Sequence, residues 1–421
     1  MNTEKALIIH LATNRKEKEQ AGESMAELKG LVAAAGAEVV GEVFQYREKI
    51  SPKYLIGEGK VLEIVDIKEE LEADLVVFER NLSPIQQRSL EGELKGKVID
   101  RTQLILDIFA QRAQSKEGKL QVELAQLNYL LPRLLGKGRS LSRLGGGIGT
   151  RGPGEKKLEE DRRRILDRIS KIQKDIKKIQ ERRANQRKSR KKSPVPVVSL
   201  VGYTNAGKST LFNRLSRENL FTSSQFFSTL DTTLRRVTLP EGPYFFLSDT
   251  VGFIKNLPVE LITSFRATLE ELTEADCICH VIDITSSNSD IQVEAVENIL
   301  SDLGVTDLPI LKAFNKIDLL PSKDRLLEKN RNAQGAVYIS AKTGEGMEDL
   351  TEAFRLLLFK DMKMYHIRIP KSKKDMIHSF SKWAMVLKRR ENGHYFELKI
   401  LARPHSVINY LPYIKKGESN W

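Results

Sequence analysis

The sequence contains little cysteine, little histidine and no long apolar run. Its 421 residues include two cysteines, Cys277 and Cys279, and six scattered histidines without the spacing of a zinc site. The cysteines alternate within an apolar segment, so both side chains would face one side of a strand, too parallel to form a disulfide. No apolar span of 18 residues occurs, and residues 1–5 lack a signal-peptide pattern. We therefore expect a cytoplasmic chain with reduced cysteines and no membrane span.

Residues 202–210 are the most informative segment. They fit the pattern G-x-x-x-x-G-K-[ST] and lie between an apolar run and a helix-compatible segment. The residues are Gly202, Tyr203, Thr204, Asn205, Ala206, Gly207, Lys208, Ser209 and Thr210. Backbone N–H groups of such a loop close around phosphates, and the following helix N-terminus adds a positive dipole end. Lys208 would reach the β- and γ-phosphates, and the Ser209 hydroxyl would bind Mg²⁺. The segment predicts a nucleoside triphosphate site with Mg²⁺.

Four further motifs follow in the order of a guanine-nucleotide fold. Each lies in a loop or at the end of a predicted strand, and together they comprise Phe227, Ser228, Thr229, Leu230 and Asp231; Asp249, Thr250, Val251 and Gly252; Asn315, Lys316, Ile317 and Asp318; and Ser340, Ala341 and Lys342. We expect Thr229 and Asp249 to complete the Mg²⁺ site and the Gly252 N–H to meet the γ-phosphate. Asn315 and Asp318 would read the base, because a carboxylate accepts two N–H donors that guanine has and adenine lacks.

Two residues bear on hydrolysis. Phe253 occupies the position where many regulatory GTPases carry a glutamine that orients the attacking water, so we expect slow turnover without a partner. Asn205 has two interpretations: its amide either coordinates a K⁺ ion that bridges the phosphates, or it only shapes the loop. The predicted catalytic residues are therefore Lys208, Thr229, Gly252 and Asn205.

The positive charge is concentrated. The net charge is +13, and residues 155–193 carry 17 Lys or Arg against 7 Asp or Glu, a net charge of +10. Apolar residues recur at helical spacing in this segment and in an earlier one: Leu158, Ile165, Ile169, Ile172, Ile176 and Ile179, and Leu120, Leu124, Leu127, Leu131 and Leu134. Two such seams predict an antiparallel helical hairpin. The one-signed charge favours a polyanionic partner over a merely solvated face.

The glycine-rich segment 136–154 would form the tip of this hairpin. It carries Lys137, Arg139, Arg143 and Arg151 and no acidic residue, which suits contact with RNA. A disordered linker is the alternative, and the basic cluster 187–192 has a similar alternative as a flexible linker. Gly57 to Lys60 resemble a phosphate-loop fragment, but a turn leading into a helix explains them better. Residues 1–115 otherwise alternate strand patterns, at 6–9, 38–44 and 74–78, with helix patterns, at 24–35, 60–72 and 84–94. Residues after about 361 resemble a small α+β domain.

Over nearly its full length the chain resembles the HflX-type GTPases. The resemblance rests on residues 147–155, 202–209 and 229–231, and on the segment around Asp100, Arg101 and Thr102. It implies GTP binding with Mg²⁺, association with the large ribosomal subunit and its rRNA, and a role in splitting or rescuing stalled ribosomes under stress. Two departures from the family pattern are visible: Lys156 and Lys157 replace an expected threonine–glutamine pair, and Thr232 replaces a proline.

The combined prediction is an α/β protein with four parts. These are an N-terminal α/β domain (1–115), a basic helical hairpin (116–193), a P-loop GTPase domain with a mainly parallel sheet (194–360) and a small C-terminal α+β domain (361–421). We expect a cytoplasmic monomer with a ribosome- or membrane-peripheral fraction. A GTP-regulated RNA-binding scaffold or ribosome-assembly factor with little turnover is the main alternative. A tRNA-modifying GTPase is a third, which lacks support because no cysteine occurs in the C-terminal part.

Overall fold

A computed structural model describes most of the chain. It covers residues 3–134, 153–190, 194–217, 233–240, 242–249, 252, 270–286, 288–302, 304–305, 308–320, 335–380 and 382–415. The chain divides into two compact units: the first runs to Ile179, with two short later segments outside the described residues, and the second begins at Gln180.

The first unit begins with a parallel sheet of four strands in the order β2-β1-β3-β4. The strands are β1 (Lys5–Ala12), β2 (Glu38–Tyr46), β3 (Leu75–Phe78) and β4 (Lys97–Asp100), and the helices are α1 (Arg15–Glu19), α2 (Ala21–Ala34), α3 (Glu58–Glu70), α4 (Pro84–Leu94) and α5 (Arg101–Arg112). β1 and β3 are almost wholly buried, as expected for strands of a parallel sheet covered by helices. The predicted N-terminal α/β pattern is confirmed.

Local signals explain several boundaries in this sheet domain. Ser83 and Gln86 form a capping box at the start of α4, and Gly57 precedes α3 as the predicted turn. β4 and α5 were missed, because a four-residue strand that runs directly into a helix leaves no loop in the sequence. The Asp100 side chain caps α5 by accepting a hydrogen bond from the Gln103 N–H.

Two long helices complete the first unit, α6 (Lys116–Leu134) and α7 (Pro153–Arg190), and α7 continues past the end of the unit at Ile179. The predicted seam is confirmed, since Leu124 packs with Ile169, Ile172 and Ile176 in one apolar cluster. Arg168 adds two hydrogen bonds, of 2.6 and 2.7 Å, to the Glu123 carboxylate. The linker interpretation of residues 187–190 is wrong, because α7 continues through them, whereas 191–193 and the glycine-rich residues 136–152 lie outside the described residues.

α6 buries a second face that the hairpin hypothesis did not include. Gln121, Val122, Ala125 and Tyr129 are buried, and α6 packs against α5. Arg133 donates to the Asp100 carboxylate at 3.1 Å, and its guanidinium lies 3.4 Å from the centre of the Tyr129 ring. α6 is therefore part of the N-terminal core as well as half of the helical pair.

The second unit contains a six-stranded sheet in the order β10-β9-β8-β5-β7-β6. Its strands are β5 (Val197–Val201), β6 (Thr233–Thr238), β7 (Tyr244–Asp249), β8 (Cys277–Asp283), β9 (Ile310–Asn315) and β10 (Ala336–Tyr338). The helices are α8 (Lys208–Ser216), α9 (Ser289–Asp302) and α10 (Met347–Phe359). All neighbouring strands are parallel except β6 with β7, which confirms the predicted mainly parallel sheet.

A smaller antiparallel sheet ends the second unit. Strands β11 (Lys363–Pro370), β12 (Ala384–Asn392) and β13 (Tyr395–Ala402) pair in the order β11-β13-β12 and pack with α11 (Asp375–Phe380). Met385 and Leu401 join the core of the larger sheet. The predicted α+β appendage is confirmed. No helix among the described residues is long and apolar enough to cross a membrane.

Candidate functional site

The site begins at the loop between β5 and α8, where two glycines are required. Gly202 has φ +150°, and a Cβ there would lie 2.2 Å from the Val281 carbonyl oxygen. Gly207 has φ +95°, and a Cβ there would lie 2.2 Å from Nδ2 of Asn315. Any side chain would collide with neighbouring parts of the sheet edge, so the loop can pass this closely only with glycine.

Lys208, the first residue of α8, points back into this loop. Its Nζ donates hydrogen bonds to the carbonyls of Gly202 at 3.0 Å and Tyr203 at 2.8 Å, and the residue is 7 % exposed. Burial lowers the pKa of Lys208 to about 8, against the opposing effect of the Asp249 charge. The ammonium group thus lies where the loop amides would surround a phosphate. A bound phosphate would give Lys208 an anionic partner.

Ser209 and Asp249 place two oxygen atoms that could bind a metal ion close together at the sheet edge. The Ser209 hydroxyl donates to Oδ2 of Asp249 at 3.2 Å, and Asp249 is fully buried at the end of β7. A hydroxyl and a carboxylate match the hard oxygen ligands that Mg²⁺ takes, usually alongside water and phosphate oxygens. No group of three or more His, Cys, Asp or Glu side chains suited to a metal occurs among the described residues. The pair fits an ion shared with phosphate rather than an all-protein cage.

Gly252 lies against the phosphate loop. A Cβ at this position would lie 2.9 Å from Cγ2 of Thr204 and 3.0 Å from Nζ of Lys208. The buried Thr204 hydroxyl has no hydrogen-bond partner among the described residues. The close approach places the Gly252 backbone beside Lys208, as a γ-phosphate contact requires. Other predicted residues lie outside the described part of the chain: Phe227, Ser228, Thr229, Leu230, Asp231, Thr250, Val251 and Phe253.

Asn315 joins two loops of the site. Its Nδ2 donates to the Ala206 carbonyl at 2.8 Å, and its Oδ1 accepts from the Ala341 N–H at 2.8 Å. The residue is 2 % exposed. Asn315 is predicted to read the base together with Asp318. In the structure the Asn315 amide holds the phosphate loop against the 340–342 loop, and base reading stays a prediction.

Asp318 lies beside the same loop. Its Oδ1 accepts a hydrogen bond from the Ser340 hydroxyl at 2.6 Å, and that hydroxyl also accepts from the Thr343 N–H. Lys316 has φ +70°, and its Nζ pairs with the Asp283 carboxylate at 2.6 Å. The structure therefore brings Asn315, Asp318 and the 340–342 loop together at one corner, with one Asp318 oxygen held by Ser340.

Arg214 and Asp283 complete the site, and the sequence motifs did not predict either of them as a site residue. Arg214, on α8, donates from Nε to the Ala341 carbonyl at 2.6 Å and from Nη2 to the Lys342 carbonyl. Asp283 anchors Lys316 from the end of β8. Neither residue belongs to a motif, so only the fold reveals that Arg214 connects the phosphate-loop helix to the 340–342 loop. Asn205, in contrast, is exposed and has φ +61°.

Three family models match successive parts of the chain. A model described as GTP-binding GTPase N-terminal matches residues 22–110, and one described as GTP-binding GTPase Middle Region matches residues 112–190. A third, described as 50S ribosome-binding GTPase, matches residues 197–316. The third match spans the phosphate loop, Asp249 and Asn315.

Curated relatives extend over most of the chain. It is 46% identical over 370 residues to GTPase HflX of Caldanaerobacter subterraneus subsp. tengcongensis, covering 88% of this chain and 84% of that protein. It is 42% identical over 369 residues to GTPase HflX of Escherichia coli (strain K12), covering 87% and 86%.

A solved structure shares the fold. The crystal structure of SsGBP in complex with GDP has a TM-score of 0.50 and 27% identity, and covers 85% of this chain and 99% of that one. The predicted family resemblance is confirmed by the curated relatives at this identity and coverage. The chain belongs to the HflX family of GTPases and is a P-loop GTP hydrolase that binds guanine nucleotides.

Proposed function

We propose that this GTPase associates with the large ribosomal subunit in its GTP-bound state and splits or rescues stalled ribosomes. One observation carries the nucleotide dependence: the Gly252 backbone, which would meet the γ-phosphate that only GTP has, lies so close to Lys208 that a Cβ there would be 3.0 Å from its Nζ. Asn315 in addition joins the phosphate loop to the 340–342 loop through hydrogen bonds of 2.8 Å to Ala206 and Ala341. The ribosomal partner is supported by the description of the family model that matches residues 197–316.

We assign each residue of the site to one part of the nucleotide. Lys208 would neutralise phosphate charge from within the loop, and the Gly252 N–H would bind a γ-phosphate oxygen. Asp318 would accept the guanine N–H donors with the oxygen that Ser340 leaves available, and the Ala341 backbone N–H, already held by Asn315, fixes the adjacent loop. Ser209 and Asp249, with Thr229, would hold Mg²⁺, which supplies charge neutralisation when bound.

Hydrolysis requires a positioned water, and Phe253 has no polar group to orient it. We therefore propose that the partner, or an ion at Asn205, completes the catalytic arrangement. The exposed Asn205 side chain lies within the phosphate loop, where an added K⁺ would contact phosphate oxygens. Turnover measured in K⁺ and in Na⁺ buffer tests the ion: a higher rate in K⁺ that Asn205→Ala abolishes supports it, and equal rates refute it.

α7 supplies the proposed rRNA contact. Its seam residues face α6, whereas Arg163, Lys171, Lys174 and Lys177 are exposed. Several of its other charges are paired within the helix, such as Lys178 with Asp175 at 3.7 Å. Exposed lysines and arginines of one sign attract a phosphate backbone in a salt-dependent way.

Co-sedimentation with ribosomal subunits tests the proposal. The chain should sediment with the large subunit in the presence of a non-hydrolysable GTP analogue, should dissociate with GDP, and should turn GTP over faster when subunits are added. Intact ribosomes incubated with the analogue should separate into subunits. Lys171→Gln/Lys174→Gln should weaken sedimentation more than the charge-matched control Lys16→Gln/Lys18→Gln in the N-terminal domain. Equal binding in the two nucleotide states, with no stimulation of turnover, would refute the proposal.

The main alternative is a GTP-regulated RNA-binding scaffold or ribosome-assembly factor with little turnover. It shares the basic helix and the nucleotide site, and it predicts nucleotide-dependent binding without subunit-stimulated hydrolysis. The same turnover measurement therefore separates the two functions, because only the first requires acceleration by the subunit.

A further inference from the structure

The C-terminal domain carries a strong positive charge of its own. Residues 361–415 contain 12 Lys or Arg and 4 Asp or Glu, a net charge of +8. The three-stranded sheet packs one face on α11 through Ile367, Ile369, Leu398 and Ile400. Because side chains alternate along a strand, the residues between these point to the opposite face.

At one end of that opposite face Met385 and Leu401 pack into the core of the larger sheet, and the rest of the face collects most of the polar side chains of the three strands. We call it the open basic face and define it by residues paired across the strands: His366, Arg368, Lys388, Arg390, Tyr395, Glu397 and Lys399. Of these, Arg368, Lys388, Arg390 and Tyr395 are exposed, and the others are half-buried.

The first notable feature of this face is a pair of like charges. Lys388 lies directly opposite Lys399 in the register of β12 and β13, and His366 lies opposite Lys399 on the other side. Directly opposed residues of an antiparallel pair have Cβ atoms about 5 Å apart, and like charges there destabilise the sheet. Partial burial lowers the pKa of His366, and the charges of Lys399 and Lys415 lower it further. An anion bound across this row would relieve the repulsion.

The second feature is an ordered stacking surface beside that row. The Arg368 guanidinium lies 4.4 Å from the centre of the Tyr395 ring, and its Nε lies 3.5 Å from the Glu397 carboxylate. Glu397 thus fixes the guanidinium plane on the ring before any partner arrives. Unstacked RNA bases are held on aromatic rings and arginine planes of this kind, often on a sheet with adjacent basic residues.

We propose that the open basic face binds single-stranded RNA, with phosphates on the Lys388–Lys399 row and a base stacked at Tyr395 and Arg368. A nucleic-acid duplex would pair its phosphates with the lysines but would have no unstacked base to place on the Tyr395 ring and the Arg368 guanidinium. An acidic protein segment would make no use of these two stacking surfaces. The site uses none of the residues of α7 or of the nucleotide site. It therefore adds a second RNA contact that does not depend on ribosome binding.

The test uses the full chain and an oligouridine RNA that contains 4-thiouridine. Lys388→Gln/Lys399→Gln should raise the Kd at least about 5-fold and reduce the slope of log K against log salt by about 1.4, since each single-strand phosphate contact contributes about 0.7. The control Lys16→Gln/Lys18→Gln removes the same charge from the N-terminal domain and should change neither quantity comparably. Photo-crosslinks should map to residues 384–402 in the wild type and control, and be lost in the first variant.

A second pair of variants tests stacking. Tyr395→Ala should weaken binding about 5- to 150-fold with an unchanged salt slope, because base stacking is worth about 1–3 kcal/mol. The control Tyr46→Ala removes another exposed tyrosine with a lysine over its ring and should leave RNA binding unchanged. The melting temperature of Lys388→Gln/Lys399→Gln should be unchanged or higher, since a repulsive pair is removed. Equal losses in a variant and its control, crosslinks confined to α7, or tighter binding of the duplex would overturn the proposal. Ribosome sedimentation has no part in these measurements.

Discussion

Nδ2 of Asn315 lies 2.8 Å from the carbonyl oxygen of Ala206, so the end of β9 holds the phosphate loop by one direct hydrogen bond. On its other side the same amide holds Ala341. The two loops that would contact opposite ends of the nucleotide therefore share one buried side chain. Loss of this amide would therefore release both loops at once.

Replacing Asn315 by aspartate tests that link. Asn315→Asp keeps the shape and the acceptor for Ala341 but places a carboxylate oxygen against the Ala206 carbonyl. Leaving a buried acceptor without its donor costs about 1–3 kcal/mol, so the Kd for GDP should rise about 5- to 150-fold. Isothermal titration calorimetry measures it. Asn392→Asp, at an exposed position of β12, is the control, and similar affinities in the two variants would refute the role of Asn315.

Arg214→Gln tests the anchor between α8 and the 340–342 loop. The change removes hydrogen bonds from Nε to the Ala341 carbonyl and from Nη2 to the Lys342 carbonyl. Loss of these charge-assisted bonds should weaken GDP binding about 10-fold while the fold persists. Arg217→Gln removes an exposed arginine directly after the same helix and should leave the affinity near that of the wild type. If both changes have the same effect, Arg214 has no positioning role.

Nucleotide binding should take up protons near pH 8. Burial lowers the pKa of Lys208 to about 8 in the nucleotide-free site, so part of the population is neutral there. Bound phosphate favours the charged form and raises the pKa, so binding takes up a proton and weakens as pH rises through about 8.

Calorimetry in buffers of different ionisation enthalpy measures this proton uptake directly. It should be small at about pH 7, where Lys208 is already charged, and should increase toward about pH 8.5. Lys342→Met, which removes an exposed lysine of the same site, should preserve the uptake. An uptake that stays at zero across this range would contradict the assignment to Lys208.

Two glycines with the same backbone conformation should differ in their tolerance of alanine. Gly346 has φ +74°, and a Cβ there would lie 2.0 Å from the Tyr338 carbonyl oxygen, whereas Gly304 has φ +73° and open space around it. Gly304→Ala should cost about 1–2 kcal/mol from the left-handed conformation alone. Gly346→Ala should cost more, with a larger drop in melting temperature, because the backbone must also shift. Equal drops would show that the close approach to Tyr338 is not maintained in solution.

The nucleotide site was predictable from the sequence because its chemistry is carried by short motifs at strand ends. In a parallel sheet the carboxyl ends of strands meet at one edge, so the order of the motifs was enough to bring Lys208, Asp249 and Asn315 together. The seam between α6 and α7 was predictable for a similar reason, since helical periodicity fixes which residues share a face. β4, α5 and the second buried face of α6 were missed, because their signals arise from packing between distant segments.

The sequence alone determined that this chain is a guanine-nucleotide hydrolase with a basic helical pair, because those properties reside in residue types and their spacing. The tertiary structure decided which side chains support the site. Asn315 became a link between loops and Arg214 an anchor, since both roles depend on partners more than a hundred residues away. The tertiary structure also determined which residues form the open basic face. A register shift between Val386 and Lys388 places Lys388 opposite Lys399, where regular alternation would have placed Leu387. Strand pairing fixes such a register, and no local pattern records it.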